Sequence, residues 1–498
     1  MPRKTKTTGT VMNPPDGGVT VRMYFSGFGD CFLLAFRGED NELRYILIDC
    51  GIHHGYDGRS ERMKSIAQDI AQTTGKKLHI VAVTHEHTDH IYGFMYGKDA
   101  FKDIDVDALW LAWTENPADT IAKELKRLYG KKKLALQAAI KRLEDAGNPH
   151  AVSLRNVFGF EYGATKSEAI RGLGDIMEAL RSWYDTKPGL LKDYRTPGEA
   201  PLEIPGVKGV RCFVLGPPQN IAAIKKLEDE KEMYFGAALP LTEENAFMSA
   251  VLGLSETAVP GESTELRGYP FDAAFSVPPE DVEKAFDGFF RKYYGFSREQ
   301  NQWPHMRRIE TDWLENAADQ LALSINDYTN NTSLVLAFEL TGTTPGRVLL
   351  FAGDAQAGNW LSWIPVTWTE NSDGEEKKIT GENLLQRTVF YKVGHHGSWN
   401  ATMREKGLEL MDSPDLVAMI PVDQKWANDE QGWQHPDEKI LTRLMQKTKG
   451  RVLRSDKIPE GDSMKKPKEA GDEEWKAFLK NVEWDKSPEP LWIQYTLR

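Results

Sequence analysis

The chain has 498 residues, of which 40% are hydrophobic and 27% charged, a composition typical of soluble globular proteins. Its 62 basic and 74 acidic residues give a net charge of −12, which disfavours tight non-specific binding to nucleic acid but allows a local basic patch. The apolar runs are too short to span a membrane, and the N-terminus has no secretory pattern. The three cysteines give no disulfide framework. We therefore expect a cytoplasmic protein with no membrane partner.

The N-terminal part of the chain alternates strand patterns with turns. Residues 1–18 are rich in Thr, Pro and Gly and are expected to form a flexible tail. The patterns that follow predict three strands, a helix and a buried strand over Thr20–Phe25, Cys31–Arg37, Arg44–Asp49, Glu61–Thr73 and His79–Thr84. This order indicates mixed α/β layers.

A dense group of potential metal ligands follows the last of these strands. His85, His87, Asp89 and His90 lie within six residues, in a chain that has only 11 histidines. Imidazole nitrogens and carboxylate oxygens are the ligands that suit zinc and similar divalent metals. The group therefore predicts a metal site at the end of the strand.

Two long regions interrupt the strand pattern. Residues from about 114 to 206 and from about 219 to 328 have mainly helical spacing, and we interpret both as insertions. The first contains a basic stripe over residues 123–142, which either steers a polyanion or forms a solvated helix face. The second contains the aromatic stretch Phe286–Phe296, which we interpret as helical core rather than a base-stacking surface.

Strand patterns resume after residue 328, and several of them end in ligand-type residues. Asp354 follows a strand, His395 and His396 follow the next, and His435 precedes a proline. Taken alone, Asp354 also fits a turn or helix-cap aspartate, and His435 also fits a residue at a helix start. Residues 455–490 are charged and contain prolines, and we expect an irregular excursion there.

In their order along the chain, these residues resemble the metallo-β-lactamase superfamily. The matching features are a strand ending in Asp49, the His-x-His-x-Asp-His motif at 85–90, Gly353-Asp354 and the histidine pair. Within the superfamily, the chain most resembles the soluble hydrolase domain of ComEC-type competence proteins, and its His-His-Gly pattern is also similar to zinc-dependent phosphorylcholine esterases. The finer matches are Gly27-Phe28-Gly29-Asp30, Leu215-Gly216-Pro217-Pro218, Asn331–Leu336, Lys392–Ser398 and His435-Pro436.

The resemblance implies an α/β fold, a four-layer αββα sandwich over residues 19–498 with the two large, mainly helical insertions. It also implies two divalent metal ions, usually zinc and in some members manganese. The implied ligands are His85 and His87 for the first ion, Asp89 and His90 for the second, Asp354 between them, and either His395 or His396 for the second. Asp49 would orient the loop that bears His85. The third protein ligand of the first ion stays open among His150, His305, His435, and water or substrate.

Two divalent ions activate water and stabilise both the attacking and the leaving oxygens, which suits hydrolysis of a phosphodiester. We therefore predict a metal-dependent hydrolase, most specifically a phosphodiesterase or nuclease acting on DNA or RNA through a hydroxide between the metals. The alternatives are a small phosphodiester such as a cyclic nucleotide or a phosphorylcholine ester; a thioester, lactone or β-lactam; and a metal-stabilised interaction module without catalysis.

The candidate catalytic residues are Asp89, Asp354 and His435. Lys392, Ser398 and Asn331 are candidates for contact with the substrate. The two insertions interrupt the fold where loops should border the site, so we expect them to form lids or an oligomer surface, including that of a homodimer.

Overall fold

The structure of the protein is a computed structural model, and it describes residues 11–145, 147–155, 173–185, 189–226, 229, 232, 281, 286, 288–295, 312–372, 375–461, 465–468 and 470–498. The chain forms two compact units. One comprises Met1–Lys123, Gly159–Ala238 and Asn326–Arg498, and the other comprises Glu124–Phe158 and Leu239–Ile325.

The first unit contains all the strands of the described part of the chain. They are β1 (Val19–Tyr24), β2 (Cys31–Arg37), β3 (Leu43–Cys50), β4 (Lys77–Val83), β5 (Asp105–Ala112), β6 (Leu191–Arg195), β7 (Leu202–Glu203), β8 (Val210–Gly216), β9 (Val335–Leu340), β10 (Arg347–Phe351), β11 (Thr367–Ser372), β12 (Glu375–Thr380), β13 (Thr388–Lys392), β14 (Val417–Ile420), β15 (Val452–Arg454), β16 (Val482–Trp484) and β17 (Trp492–Leu497). An eight-stranded sheet has the order β16-β17-β1-β2-β3-β4-β5-β6, a seven-stranded sheet has the order β15-β14-β13-β10-β9-β8-β7, and β11 pairs with β12.

Each large sheet combines antiparallel and parallel strands. The parallel runs are β3-β4-β5-β6 in one sheet and β10-β13-β14-β15 in the other. Strands inside such runs are covered on both faces, which explains why β4, β10 and β13 are almost continuously apolar in sequence. The residues just beyond the carboxyl ends of parallel strands are where ligand sites form in α/β sheets.

Helices cover the outer faces of the sheets. The described helices are α1 (Arg59–Thr73), α2 (Thr88–Tyr96), α3 (Lys98–Phe101), α4 (Thr120–Asp145), α5 (Leu173–Asp185), α6 (Ile221–Ile224), α7 (Phe289–Tyr294), α8 (Asp312–Asn331), α9 (Ala357–Trp363), α10 (Gly381–Gln386), α11 (Glu438–Lys447) and α12 (Asp472–Leu479). Buried residues of α1 and α2 pack on the eight-stranded sheet, and those of α9, α10 and α11 pack on the seven-stranded sheet.

The two sheets face each other across a shared hydrophobic core. Phe32 of β2 meets Phe351 of β10 with ring centroids 5.8 Å apart, and Phe36 of β2 meets Phe338 of β9 at 6.3 Å. Burial of each such ring contributes roughly 1.5–3 kcal/mol to the folded state. Helix, sheet, sheet and helix therefore stack in that order, which confirms the predicted four-layer αββα sandwich.

The second unit is helical where the structure describes it. In its part of α4, Leu136, Ile140 and Leu143 are buried, as their helical spacing predicts. Helix α7 differs from the prediction, because it has no buried residue and Phe289 and Tyr293 are 47% and 58% exposed. The interpretation of the aromatic stretch as helical core is therefore wrong for α7. Among the described residues, no helix has the length and apolar character needed to cross a membrane.

Some elements differ from the prediction for their ranges, which was mainly helical structure for 114–206 and an irregular excursion for 455–490. β6 and β7 fall within 114–206, and α12 and β16 fall within 455–490. Both β6 and β16 are edge strands, and exposed charged side chains interrupt the apolar pattern that marks an inner strand. Of the segment predicted to be a flexible tail, residues 1–10 lie outside the described part of the chain, and Met12 is fully buried.

Candidate metal centre

The carboxyl ends of β4, β10 and β13 bring the predicted ligands together. The loop after β4 carries His85 and His87, and the first turn of α2 carries Asp89 and His90. Every side chain of the candidate centre is at most 1% exposed. Two groups share Asp354 and have ligand atoms within 4.8 Å of one another, one being Asp89, His90, Asp354 and His396, and the other being His85, His87 and Asp354. A third group with the same spacing consists of Asp30, Asp49 and His90.

Asp354 belongs to both groups, which is the arrangement expected of a carboxylate between two metals. Its Oδ2 atom lies 3.1 Å from Nε2 of His90 and 4.0 Å from Nε2 of His85. Nε2 of His85 in turn lies 3.0 Å from Nδ1 of His87. The two groups are therefore adjacent and share one oxygen.

Several buried polar atoms in the centre are poorly satisfied by the protein itself. Oδ1 of Asp89 has no hydrogen-bond partner, and Nε2 of His90 and Oδ2 of Asp354, although 3.1 Å apart, do not meet in a regular hydrogen-bond geometry. An unpaired buried polar atom is costly, so a native site that gathers several of them indicates an additional ligand. Imidazole and carboxylate donors in these numbers fit a divalent metal such as zinc. The side chains present are thus suited to metal binding.

The charge of the centre supports the same conclusion. Burial alone would lower the pKa of the His90 imidazole, but the surrounding carboxylates raise it well above its usual value; they are Asp354, Asp30, Asp89 and Asp49. Burial would raise the pKa of the Asp89 carboxyl, but His90 and His396 hold it well below its usual range. Negative charge therefore exceeds positive charge here, and a divalent cation would offset it.

The turn after β13 brings His396, and not His395, into a ligand group. Both residues have positive φ, 47° and 53°, within the short turn Gly394–Gly397. Nε2 of His396 lies 2.7 Å from Oδ2 of Asp89, and its Nδ1 donates to the carbonyl of Pro421 at 2.6 Å. His395 instead donates its backbone N–H to Oδ1 of Asp354 at 2.9 Å, so it contributes to the centre through the main chain.

Asp49 is placed behind the ligands, as the sequence suggested. Its Oδ1 accepts from the backbone N–H of Thr84 at 2.7 Å, and its Oδ2 accepts from Oγ1 of Thr84 at 2.7 Å and from Nδ1 of His90 at 2.8 Å. Oγ1 of Thr84 also lies 3.0 Å from Nδ1 of His85. These contacts fix both imidazoles so that Nε2 of each points into the centre.

Asp30 is a site residue that the sequence analysis quoted in a motif but gave no role. It is 1% exposed and forms an ion pair with Lys392, which is 2% exposed. Its backbone N–H donates to the carbonyl of Asp89 at 2.8 Å. The sequence carries no local signal for this role, because a long-range approach of the backbone positions Asp30: a Cβ on Gly51 would lie 1.9 Å from the carbonyl oxygen of Asp89, too close for any larger residue.

The predicted substrate-contact residues are engaged inside the protein. Nζ of Lys392 donates to the carbonyl of Gly353 at 2.9 Å and pairs with Asp30 and Asp354. Oγ of Ser398 donates to Oδ1 of Asn400 at 2.9 Å. Asn331 is fully buried: its Nδ2 donates to the backbone at 224 and 226, and its Oδ1 accepts from the backbone at 356 and 359. Asn331 therefore has no hydrogen-bonding position left for a substrate, because the backbone at the end of α6 and at the start of α9 uses all of them.

Among the described residues, the group of His85, His87 and Asp354 gains no further protein ligand. His150 lies in the second unit, where its Nε2 is 2.8 Å from the carboxylate of Asp319. His305 lies outside the described residues. His435 joins neither ligand group, and its ring centroid lies 5.6 Å from that of His395. Burial lowers the pKa of His435 well below its usual value, so this imidazole is neutral.

The motif and the fold agree with the comparison to known protein families. The family model described as the metallo-beta-lactamase superfamily matches residues 26–118. No curated protein matches the chain.

The metallo-beta-lactamase match includes Asp30, Asp49 and the whole of the 85–90 motif. Asp354 and His396 lie beyond it, and their assignment to the centre rests on the geometry of the second sheet. Superfamily members are generally hydrolases, and the buried His and Asp groups could hold metal ions of the kind that such hydrolases use.

Proposed function

We propose that the protein is a metal-dependent hydrolase that cleaves phosphodiesters, with DNA or RNA as the substrate class. The observation that carries this proposal is the oxygen of Asp354 shared by two adjacent ligand groups. The residues that would hold two divalent ions, zinc or manganese, are His85 and His87 on one side, Asp89, His90 and His396 on the other, and Asp354 between them. When bound, these ions would supply Lewis-acid activation of water and stabilisation of oxygen charge.

The side chains of the chain itself have separate roles in this proposal. Asp354 is held through its Oδ1 by the backbone of His395, so its Oδ2 keeps a fixed direction. Oδ1 of Asp89 has no hydrogen-bond partner, and we assign this oxygen to accept a proton from an attacking water. Nδ1 of His435 is buried without a partner beside His395, and we assign it to orient the leaving oxygen.

The choice of a phosphodiester is supported by the finer sequence resemblance. The motifs that resemble those of ComEC-type hydrolase domains include Asp30, Lys392, His396 and His435, and the His-His-Gly pattern is also similar to that of phosphorylcholine esterases. The chain carries eight basic residues between Lys123 and Arg142, which is a source of positive charge for a polyanionic substrate. These features favour nucleic acid over a thioester, a lactone or a β-lactam. We expect the hydrolase to act in the cytoplasm.

Hydrolysis assays with defined metal content test this proposal. Protein stripped by a chelator is reloaded with Mn²⁺ or Zn²⁺ and incubated with single-stranded DNA, duplex DNA, RNA and a nitrophenyl phosphodiester. We expect metal-dependent cleavage that His396→Ala abolishes, whereas the matched variant His150→Ala in the second unit retains it. A metal-loaded protein that cleaves none of these substrates would refute the proposal. Parallel incubations with a thioester, a lactone and a β-lactam would then separate another hydrolase from a non-catalytic module.

A further inference from the structure

Lys392 is a lysine with no access to solvent, which is rare unless the charge is paired. It is the last residue of β13 and is 2% exposed. Its ammonium group has three acceptors: an Asp30 carboxylate oxygen, the carbonyl of Gly353 at 2.9 Å and Oδ1 of Asp354 at 3.4 Å. A lysine ammonium has three donors, so all of its hydrogen-bonding capacity is used inside the protein.

The contact with Lys392 divides the two oxygens of Asp354 into different roles. Oδ1 accepts from the backbone N–H of His395 at 2.9 Å and lies 3.4 Å from Nζ of Lys392. Oδ2 faces the two ligand groups instead, where Nε2 of His90 lies 3.1 Å and Nε2 of His85 lies 4.0 Å from it. The protein therefore binds one oxygen and leaves the other for the two ligand groups.

Asp30 holds the ammonium from the opposite side. Its own backbone is fixed, because its N–H donates to the carbonyl of Asp89 and its carbonyl accepts from the N–H of Gly51, both at 2.8 Å. Asp30 belongs to the eight-stranded sheet region, whereas Lys392 and Asp354 follow strands of the seven-stranded sheet. The contacts Asp30–Lys392–Asp354 thus connect the two halves of the centre through one buried cation.

We propose that Asp30 and Lys392 are positioning residues for the bridging carboxylate. Lys392, held by Asp30, fixes Oδ1 of Asp354 so that only Oδ2 faces the two ligand groups. This assignment replaces a substrate contact for Lys392 with a role behind the ligands. It rests on the metal centre of the proposed function but not on the identity of the substrate.

Metal binding by single and double variants tests the pair. Lys392→Met and Asp30→Asn are each expected to weaken Co²⁺ and Zn²⁺ binding about 10–100-fold, the usual effect of removing a group that orients a ligand. Both should also change the visible absorption spectrum of bound Co²⁺, because Asp354 would no longer be fixed. The metal affinity of the double variant should be no lower than that of the single variant that binds metal more weakly, because the two residues act as one unit.

Controls separate positioning from a merely structural role. Lys447 is also largely enclosed and pairs with Asp412 at 3.1 Å, away from the centre, so Lys447→Met should leave affinity and spectrum unchanged. Lys392→Arg keeps the positive charge and should recover most of the metal affinity. If Lys392→Met fails to fold, the metal affinity of Lys392→Arg distinguishes a positioning role from a structural one. Unfolding of the metal-free variants is measured by circular dichroism.

The inference is overturned if Lys392→Met, or Lys392→Arg in its place, lowers only the stability of the metal-free protein while wild-type affinity and spectrum persist. It is also overturned if the wild-type protein binds no metal. A protein that binds metal as predicted but cleaves no phosphodiester would refute the proposed function and leave this inference standing, because the test is read from metal binding alone.

Discussion

Replacing Asp49 by asparagine would test whether the centre depends on the group behind its histidines. Asp49 accepts three hydrogen bonds, from the N–H and the hydroxyl of Thr84 and from Nδ1 of His90. Its φ is 55°, in the left-handed region that asparagine tolerates nearly as well as aspartate. The substitution therefore changes charge and hydrogen bonding with little cost in backbone conformation.

The expected magnitude follows from these contacts. The asparagine oxygen can still accept from the N–H of Thr84, but its NH₂ group would face the N–H of His90. His90 would relieve this by moving its proton to Nε2, the nitrogen that faces the ligand group. We expect metal affinity to fall about 10–100-fold, as is usual when an outer hydrogen-bond partner is lost, which corresponds to about 1.4–2.8 kcal/mol.

Affinity is measured by competition with a chromophoric chelator, and metal content by elemental analysis after dialysis. Asp69→Asn is the matched control, because Asp69 also accepts several hydrogen bonds, from Arg22 and Tyr24, without contacting the centre. The control should bind metal as the wild type does. The reasoning is refuted if Asp49→Asn folds and binds both ions with unchanged affinity.

Three further outcomes are expected. His396→Ala should lose one bound ion and His395→Ala should not; both positions have positive φ, so equal metal content in the two variants would contradict the assignment. Burial lowers the pKa of His54 to about 4 from 6.5 in the unfolded chain. As the pH falls, the imidazole of His54 therefore takes up its proton in the unfolded state before it does so in the folded state. The free energy of unfolding should fall by about 3 kcal/mol between pH 6.5 and pH 4. In metal-free protein, His54→Phe should flatten this slope in urea unfolding, and an unchanged slope would be inconsistent with the effect. Cys31, Cys50 and Cys212 are buried, so a thiol reagent should label none in the native protein and all three after unfolding; rapid native labelling would contradict this.

The motif at 85–90 was predictable because its ligands are contiguous and follow a strand whose end the apolar pattern marks. Asp354 and the histidine pair were found for the same reason, at the ends of β10 and β13. The choice between His395 and His396 was beyond the sequence, because it depends on a turn in which both residues adopt positive φ. The local sequence does not show which of two adjacent histidines directs its side chain into the centre.

Long-range contacts account for most of the remaining differences. The ion-pair partner of Asp30 is Lys392, which lies far away in the sequence and on the other sheet. Nothing in Gly27-Phe28-Gly29-Asp30 distinguishes a buried, ion-paired aspartate from an aspartate in an ordinary turn. The sequence predicts substrate contacts for Lys392 and Asn331, because polar residues in a matched motif suggest exposure to a ligand. The structure buries both, and their hydrogen bonds go to the backbone and to other side chains.

The ligands of the centre come from both sheets of the sandwich. The 85–90 motif follows β4 of the eight-stranded sheet, whereas Asp354 and His396 follow β10 and β13 of the seven-stranded sheet. Metal bound there would be a cross-link between layers that are separated in sequence by both insertions. A ligand that binds only the folded state, at 100 times its Kd, adds about 2.7 kcal/mol to the free energy of unfolding. Metal occupancy would then contribute to the cohesion of the sandwich, and a chelator would loosen the two sheets at the edge where substrate is expected to enter.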